Sequence, residues 1–304
     1  MKTVKTLGQL AEAIRSAGGR RRVAVVCPAD THTEYVVKRA LHEHLADFLL
    51  VADRGRAALA YSIRESSPDH VRVLEADGPE EACTTGVSLV RGGEADVLMK
   101  GLVSTDTLLR AILDKRGGLL PAGGVLSHLS VAEIPQYKKL LFFSDVAVIP
   151  RPTLEQYRAF ISADLDVYRS LGGSEPRIAL IHCVEKVSEK FPFTLSYKRL
   201  MEESREGAFG DAVIDGPMDV KTACDPHSGQ IKGIASAVAG EADILIFPNI
   251  EAGNVFYKTL TLFGEAVTAA MLTGTTAPVV VPSRADAGES KYYSLCLALS
   301  VVKH

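Results

Sequence analysis

The chain has 304 residues, 47% of them hydrophobic and 23% charged, and its formal net charge is -3 at pH 7. This composition is ordinary for a globular protein and excludes disorder over most of the length. The charge is nearly balanced and contains no long run of one sign, which argues against a nucleic-acid-binding protein. A prior of roughly 150 residues per domain predicts about two domains.

Cysteine usage and hydropathy predict the cellular compartment. The five cysteines are widely spaced and form no CxxC pair, a pattern typical of reduced thiols. The first 19 residues are amphipathic and too polar for the core of a signal peptide. The longest uncharged stretch, 266–283, contains Gly274 and Pro278 and falls short of the ~20 apolar residues of a spanning helix. We therefore expect a soluble cytoplasmic protein with no membrane partner.

Short apolar runs alternate with longer helical patterns along the chain. Strands are predicted at 22–29, 46–52, 70–75, 95–100, 140–149, 177–182, 212–214, 242–247 and 278–281. Helices are predicted at 31–44, 54–66, 79–91, 105–115, 153–171, 194–207, 229–239, 255–272 and 289–303. Nearly continuous Val, Ile and Leu runs are typical of strands covered on both faces, so the pattern predicts an α/β fold with mainly parallel strands.

A domain boundary is predicted in the middle of the chain. The segment Ile149-Pro150-Arg151-Pro152 has two prolines two residues apart, which suits neither the interior of a helix nor that of a sheet. We interpret this segment as a linker, with the second domain beginning at residue 150.

Several catalytic motifs are missing from the sequence. It has no GxxxxGK[ST], no GxGxxG, no GxSxG and no HExxH. Cys224 and His227 form a single CxxH pair, which lacks the two further ligands of a zinc site. The sequence therefore predicts no metal site, and it lacks the GxGxxG fingerprint of nicotinamide-binding proteins.

The first candidate site follows the strand that ends near Lys100. In a doubly wound sheet, ligands bind beyond the carboxyl ends of the strands. Gly101 permits a close turn, and Ser104 or Thr105 begins a helix whose free N–H groups suit a phosphate. Arg110, in the second turn, could reach back to that anion. A plain helix cap with a solvated arginine explains the same residues equally well.

The second candidate site is segment 282–291, between the last strand and the last helix. A guanidinium such as that of Arg284 binds phosphate bidentately, and the hydroxyl of Ser283 can donate to a carbonyl oxygen that becomes negative. Asp286 or Glu289 could take a proton from an attacking thiol. The alternative is a polar turn, in which Asp286 and Gly288 serve the backbone.

Two further strand ends carry polar groups. Asn249 and Asn254 lie in segment 247–258, where they could bind a ligand amide or cap their own loop. Asp219 ends the strand near residue 214 and could hold a ligand hydroxyl, although a tight turn is the simpler interpretation.

These segments, in this order, resemble the phosphate acetyltransferase and phosphate butyryltransferase family from about residue 95 to the C-terminus. Val184-Glu185-Lys186-Val187 is similar to the shorter, butyryltransferase-like branch. The matching pieces are Lys100-Gly101 with Ser104-Thr105 and Leu109-Arg110, then 141–150 (LFFSDVAVIP), 215–217 (DGP), 247–254 (FPNIEAGN) and 282–284 (PSR).

The resemblance implies two α/β/α domains with mainly parallel sheets and an interdomain cleft, as in isocitrate and isopropylmalate dehydrogenases. The C-terminal helix would return to the first domain, giving 1–149 with 285–304, and 150–284. The implied reaction is acyl-CoA + phosphate = acyl phosphate + CoA, by direct thiolate attack in a ternary complex. Coenzyme A is then a substrate, no cofactor is tightly bound, and a homo-oligomer is expected.

The resemblance also implies roles for individual residues. Ser283 matches the serine that hydrogen-bonds the reacting carbonyl, and Arg284 matches the arginine that holds phosphate. The family's acetyltransferases carry an aspartate six residues after that arginine as the proposed base, but Ser290 stands there in this chain. We favour Glu289 as the replacement, with Asp286 as the second choice.

The remaining implied contacts concern the two substrates. On the phosphate side, Arg110 resembles a second arginine contributed by the opposite domain. The resemblance adds other phosphate-side and CoA-side contacts: Ser104, Thr105 and Ser127 for phosphate, and Asn249, Asn254 and Lys258 for CoA.

Other functions stay open at this point. A phosphate acyltransferase that uses acyl carrier protein would need a basic docking patch, for which Arg20-Arg21-Arg22 is the one cluster. A nicotinamide-dependent hydroxy-acid decarboxylase follows from fold analogy alone, and a non-catalytic sensor of CoA or acyl phosphate would bind without turnover. Acetyl, propionyl, butyryl and branched acyl groups are all compatible with the sequence, because one methylene changes selectivity only ~10–200-fold.

Overall fold

The computed structural model describes residues 3–283 and 286–302, and the chain divides into two compact units. The N-terminal unit comprises Gly8–Gly124 and Ala269–His304, and the middle unit comprises Met1–Leu7 and Val125–Thr268. Segment 125–149 thus belongs to the middle unit and segment 269–283 to the N-terminal unit, whereas the sequence places them in the first and the second domain, respectively. The cause is strand pairing. The strands of 125–149 pair with each other and with a strand of the middle unit, and those of 269–283 pair with each other and with a strand of the N-terminal unit.

The sheet of the N-terminal unit is parallel except at one strand. In spatial order its strands are β3-β2-β1-β4-β11-β10, and β10 runs antiparallel to β11. The strands are β1 (Arg21–Val26), β2 (Ala46–Asp53), β3 (Val71–Ala76), β4 (Val97–Lys100), β10 (Val267–Thr273) and β11 (Val279–Val280). The carboxyl ends of β1, β4 and β11 therefore meet at one edge, which is where ligands of such sheets bind.

The described helices of this unit are α1 (Leu7–Ala17), α2 (Thr31–His42), α3 (Ala58–Ser66), α4 (Pro79–Arg91), α5 (Thr105–Ile112) and α11 (Gly288–Ser300), with one 3₁₀ turn at Arg54–Arg56. Three of them, α2, α3 and α4, connect successive parallel strands, and the others lie outside those connections. The C-terminal α11 packs on α2, where the Arg39 guanidinium lies 3.7 Å from the Tyr292 ring centre. The Tyr292 hydroxyl also donates to Glu43 at 2.6 Å. These contacts attach the C-terminal helix to the N-terminal unit.

The strands of the middle unit lie in the order β5-β6-β9-β7-β8 and are parallel except for β5, which is antiparallel to β6. Its strands are β5 (Ser127–Glu133), β6 (Leu141–Ser144), β7 (Arg177–Ile181), β8 (Val213–Met218) and β9 (Ile244–Ile246). Its helices are α6 (Leu154–Ser170), α7 (Phe193–Arg205), α8 (Val220–Cys224), α9 (Pro226–Ile231) and α10 (Ile250–Phe263). Phe143 centres the core and packs edge-on against Phe247 and Phe256.

The predicted α/β class with a mostly parallel sheet is confirmed, and three local predictions are wrong. The strand predicted at 140–149 ends at Ser144. The helix predicted at 255–272 ends at Phe263 before Gly264, and most of the remainder is β10. The helix predicted at 229–239 ends at Ile231. In the part of the chain that is described, every helix is too short or too polar to cross a membrane.

Candidate active site

Ser283, just after β11, is hydrogen-bonded to Asp286. The Ser283 N–H donates to Oδ2 of Asp286 at 2.8 Å, and the Asp286 N–H donates back to the Ser283 carbonyl at 3.2 Å. Both residues are half-buried. The Asp286 carboxylate therefore holds the backbone of Ser283 at the sheet edge. Arg284 lies outside the described residues.

The first turn of α11 adds charged groups beside this loop. Glu289 is exposed, whereas Lys291 is buried, and its ammonium lies 3.2 Å from Nδ1 of His32 on α2. Asp30 caps α2, accepting the Thr33 N–H at 3.0 Å. Burial raises the pKa of Asp30, but the Thr33 hydrogen bonds and the Lys291 charge outweigh burial and lower it overall. His32 and Lys291 are 259 residues apart in the chain, so no local sequence pattern predicts their contact.

The loop after β4 is a second strand end of the N-terminal unit. A β carbon on Gly101 would lie 2.4 Å from the Cys27 carbonyl oxygen, so only glycine permits this approach of the two strand ends. Ser104 caps α5, and its Oγ accepts the Thr107 N–H at 3.0 Å. Thr105 begins the helix and is exposed. The Ser104 hydroxyl is thus used by the helix cap.

Arg110 lies on the exposed side of α5, where it lines a hollow of about 370 Å³ between α4 and α5. The carboxylates of Glu80 and Asp114 line the same hollow. A phosphate bound by Arg110 at this place would therefore face two carboxylates as well.

A buried carboxylate follows β6. Asp145 accepts the N–H groups of Ala147, Val148 and Ile149 at 2.8, 3.1 and 3.0 Å. Burial raises the pKa of Asp145, although these three hydrogen bonds act in the opposite direction. Ser127 is fully buried beside this carboxyl and makes no hydrogen bond of ordinary length. Because its hydroxyl is closed to solvent, the structure does not favour the predicted phosphate contact of Ser127.

The two predicted asparagines attach α10 to this region. Asn249 Oδ1 accepts the Ala252 N–H at 2.9 Å and caps the helix. Asn254 Nδ2 donates to the Val146 carbonyl at 3.0 Å. Lys258 is exposed, with its ammonium 4.5 Å from the Tyr257 ring centre. In the structure, both asparagine side chains therefore hold α10 in place through hydrogen bonds to the backbone.

The middle unit has a large hollow at the ends of β7 and β9. Its volume is about 710 Å³, and its lining is mainly apolar and aromatic, with Phe191, Phe247 and Phe256 among the walls. The chain leaves β7 toward β8, whereas α10 leaves β9 toward the end of β6. Diverging connections of this kind open a crevice in α/β sheets. This hollow was not predicted from the sequence; the one local signal for it is the polar pair His182-Cys183, which follows an apolar run and lies on the rim.

Comparison with known proteins places this arrangement in a family. The family model described as "Phosphate acetyl/butaryl transferase" matches residues 78–299. The "Probable phosphate butyryltransferase" of Bacillus subtilis is 36% identical over 280 residues, which cover 92% of each chain. The "Phosphate butyryltransferase" of Clostridium acetobutylicum is 36% identical over 92% of this chain and 93% of its own. The "Phosphate acetyltransferase" of Thermotoga maritima is 34% identical over 96% and 98%.

Among solved structures, a branched-chain phosphotransacylase from Enterococcus faecalis superposes with a TM-score of 0.82 and 28% identity, covering 93% of this chain and 99% of its own. A phosphotransacetylase from Streptococcus pyogenes, at 20% identity and a TM-score of 0.80 over 97% and 98% of the two chains, supports the fold alone. The chain is an α/β enzyme of the transferase class. It belongs to the phosphate acetyl- and butyryltransferase family, which confirms the resemblance.

Proposed function

We propose that the chain transfers a short-chain acyl group reversibly between CoA and inorganic phosphate. The observation that carries this proposal is the 36% identity over 92% of the chain to the phosphate butyryltransferase of Clostridium acetobutylicum. The polar loop at the end of β11 supports it, because that loop offers Ser283 at a ligand-binding edge of the sheet.

The proposed step is a direct displacement at the acyl carbon. The CoA thiolate sulfur attacks the carbonyl carbon of the acyl phosphate, a C–S bond forms, and the C–O bond to phosphate breaks with its electron pair on phosphate. The Ser283 hydroxyl donates to the carbonyl oxygen as negative charge develops there. A free thiol has a pKa of ~8.5, so a small thiolate fraction exists at neutral pH and a modest base suffices.

We assign the base to Glu289. Ser290 cannot accept a proton at neutral pH, and the Asp286 carboxylate already accepts the Ser283 N–H. Glu289 is the exposed carboxylate in the first turn of α11. Asp286 then acts as a positioning residue, which holds Ser283 without touching substrate.

The phosphate is assigned to Arg284, with the free N–H groups at the Ser104–Thr105 helix start as the second group. The role of Arg110 stays a prediction, because Glu80 and Asp114 line the same hollow. Arg110 also lies in the same unit as Ser283, so the predicted contribution from the opposite domain is not supported. A guanidinium keeps its charge at every physiological pH and matches the geometry of a phosphate. Lys258 is not assigned to CoA, because its side chain lies on the outer face of α10. The acyl group, the dehydrogenase-like domain arrangement and the use of a ternary complex remain predictions.

The test is phosphate-dependent release of free CoA from a panel of acyl-CoA esters. We expect turnover with short-chain esters and a loss of about 100-fold or more in kcat for Arg284→Ala, as for other lost transition-state contacts. The control is Arg151→Ala, an exposed arginine between β6 and α6, which should keep full activity. An Arg284→Ala enzyme with most of its activity would contradict the site, and CoA binding without turnover would contradict the reaction.

A further inference from the structure

A buried lysine lies at the ligand-binding edge of the N-terminal unit. Lys291, in the first turn of α11, is only 6% exposed, and lysine is almost never buried to this extent unless it is paired. Its partners come from the start of α2. Nδ1 of His32 lies 3.2 Å from the Lys291 ammonium, and the Asp30 carboxylate is close enough to interact with its charge. These three side chains therefore form one cluster at the starts of two helices.

The starts of α2 and α11 pack against each other. The strands that precede them, β1 and β11, both pair with β4, so the two helices begin at the same sheet edge. A β carbon on Gly288, the first residue of α11, would lie 2.9 Å from the Tyr35 ring of α2. Asp30 caps α2, whereas Ala287 at the start of α11 has no side chain that could cap it. The first N–H groups of α11 are therefore suited to an anion beside this cluster.

The contact with Lys291 decides which nitrogen of the His32 ring carries the proton. An ammonium group can only donate hydrogen bonds, so Nδ1 of His32 accepts, and the single proton of the neutral ring lies on Nε2. His32 is exposed, and its Nε2 makes no hydrogen bond to another residue in the described part of the chain. The Nε2–H group is thus a fixed donor directed away from the buried ammonium.

The carboxylates nearest the cluster do not occupy this donor. Both oxygens of Asp30 accept from Thr33, one at 3.0 Å from its N–H and the other at 2.6 Å from its hydroxyl. Glu289 lies two residues before Lys291, and helix residues two apart do not face each other. Its exposed carboxylate is therefore directed to a different side of α11 from the buried ammonium. The groups that the cluster presents outward are N–H donors, which suit an oxyanion.

We propose that the Nε2–H group of His32 and the start of α11 bind a phosphate group of a substrate, and that Lys291 is the positioning residue that fixes the His32 tautomer. Several N–H donors at one place match the several acceptor oxygens of phosphate. Ser283 lies on the same connection between β11 and α11. The choice of ligand rests on the proposed function, in which inorganic phosphate and CoA both carry phosphate groups.

The first test is ligand binding without turnover, measured by calorimetry on the full chain. His32→Ala should weaken the binding of inorganic phosphate or of CoA by about tenfold or more, because a hydrogen bond to a charged group is lost. His32→Gln should recover part of this loss, since the glutamine amide also offers N–H donors. His42→Ala, at an exposed position in the last turn of the same helix, is the matched control and should bind both ligands like the wild type.

Pantetheine, the arm of CoA without its phosphates, separates the two sources of the phosphate group. A loss with inorganic phosphate assigns the site to the phosphate substrate. A loss with CoA but not with pantetheine assigns it to a phosphate of CoA. If His32→Ala bound inorganic phosphate and CoA as tightly as the wild type does, the proposal would be wrong.

The second test concerns Lys291 and uses nitrogen NMR of the His32 ring. The wild type should show the tautomer with the proton on Nε2, and Lys291→Met, which keeps a long unbranched side chain without the charge, should show a mixture of both tautomers. An unchanged tautomer in Lys291→Met would contradict the positioning role. Neither test depends on turnover, so a chain that binds as expected but releases no CoA from its esters would contradict the proposed function alone.

Discussion

Two buried carboxyl groups of the middle unit differ sharply in their partners. Asp145 accepts three backbone N–H groups. Asp164 on α6 is fully buried, and neither of its oxygens makes a hydrogen bond of ordinary length. Burial raises the pKa of Asp164 well above its ordinary value; the nearby Ser144 hydroxyl acts in the opposite direction, and the neighbouring Asp145 charge raises the pKa further. An ionised carboxylate is costly in such surroundings, so the environment favours the protonated acid.

We predict that Asp164→Asn changes how stability depends on pH. Because the folded state raises this pKa, the contribution of Asp164 is complete below about pH 3.9 and is lost as pH rises through the raised value. Asparagine cannot ionise, so the Tm of Asp164→Asn relative to wild type should increase with pH. The free-energy difference should grow by up to ~1.4 kcal/mol per pH unit within that window.

The measurement is thermal unfolding of both proteins across the range from mildly acidic to alkaline pH. Asp166→Asn, at an exposed position on the same helix, is the matched control for the loss of a carboxyl group from α6. A constant difference for Asp164→Asn would mean that the Asp164 carboxyl titrates normally.

At the level of elements, α10 approaches the loop after β6 as closely as its backbone permits. A β carbon on Gly253 would lie 2.3 Å from the Asp145 carbonyl oxygen, and that oxygen belongs to backbone that cannot rotate away. Asn254 adds its hydrogen bond to Val146 at the same contact. The absence of a side chain at Gly253 and the hydrogen bond of the Asn254 amide thus fix the position of α10 against this loop.

Gly253→Ala should therefore destabilise the protein by about 1–3 kcal/mol, the usual cost of overpacking. Chemical denaturation measures the change, with Gly55→Ala as the control. A β carbon on Gly55 meets only a side-chain oxygen at 3.8 Å, so that variant should fold with nearly wild-type stability. If the two variants were equally stable, α10 would be able to move and accommodate the β carbon added at residue 253.

For the whole molecule, substrate binding should appear as thermal stabilisation. A ligand that binds only the folded state at 100 times its Kd contributes about 2.7 kcal/mol, so CoA with phosphate should raise the Tm. Arg284→Ala should reduce the shift caused by phosphate and retain more of the shift caused by CoA alone. If phosphate still raised the Tm of Arg284→Ala as much as that of the wild type, the anion would bind elsewhere on the chain.

For several candidate residues, the sequence predicted the position in the fold but not the partner of the side chain. The positions of Ser104, Asn249 and Ser283 at strand ends were predictable, because turns and helix starts have local composition signals. The use of two of these side chains as helix caps was an open alternative, since capping and ligand binding need the same hydroxyls and amides. Only the three-dimensional structure of the helix start shows whether such a side chain caps the helix or is free to bind a ligand.

The sequence by itself determined the α/β class, the main alternation of strands and helices, and the family, because periodicity and short motifs are local properties of the chain. Only the tertiary structure decided where the two units divide, which strand edges meet, and that Asp145, Asp164 and Ser127 gather in one buried cluster. It also revealed the hollow at the ends of β7 and β9. Those features depend on pairing and packing between residues far apart along the chain, and no local pattern encodes such contacts.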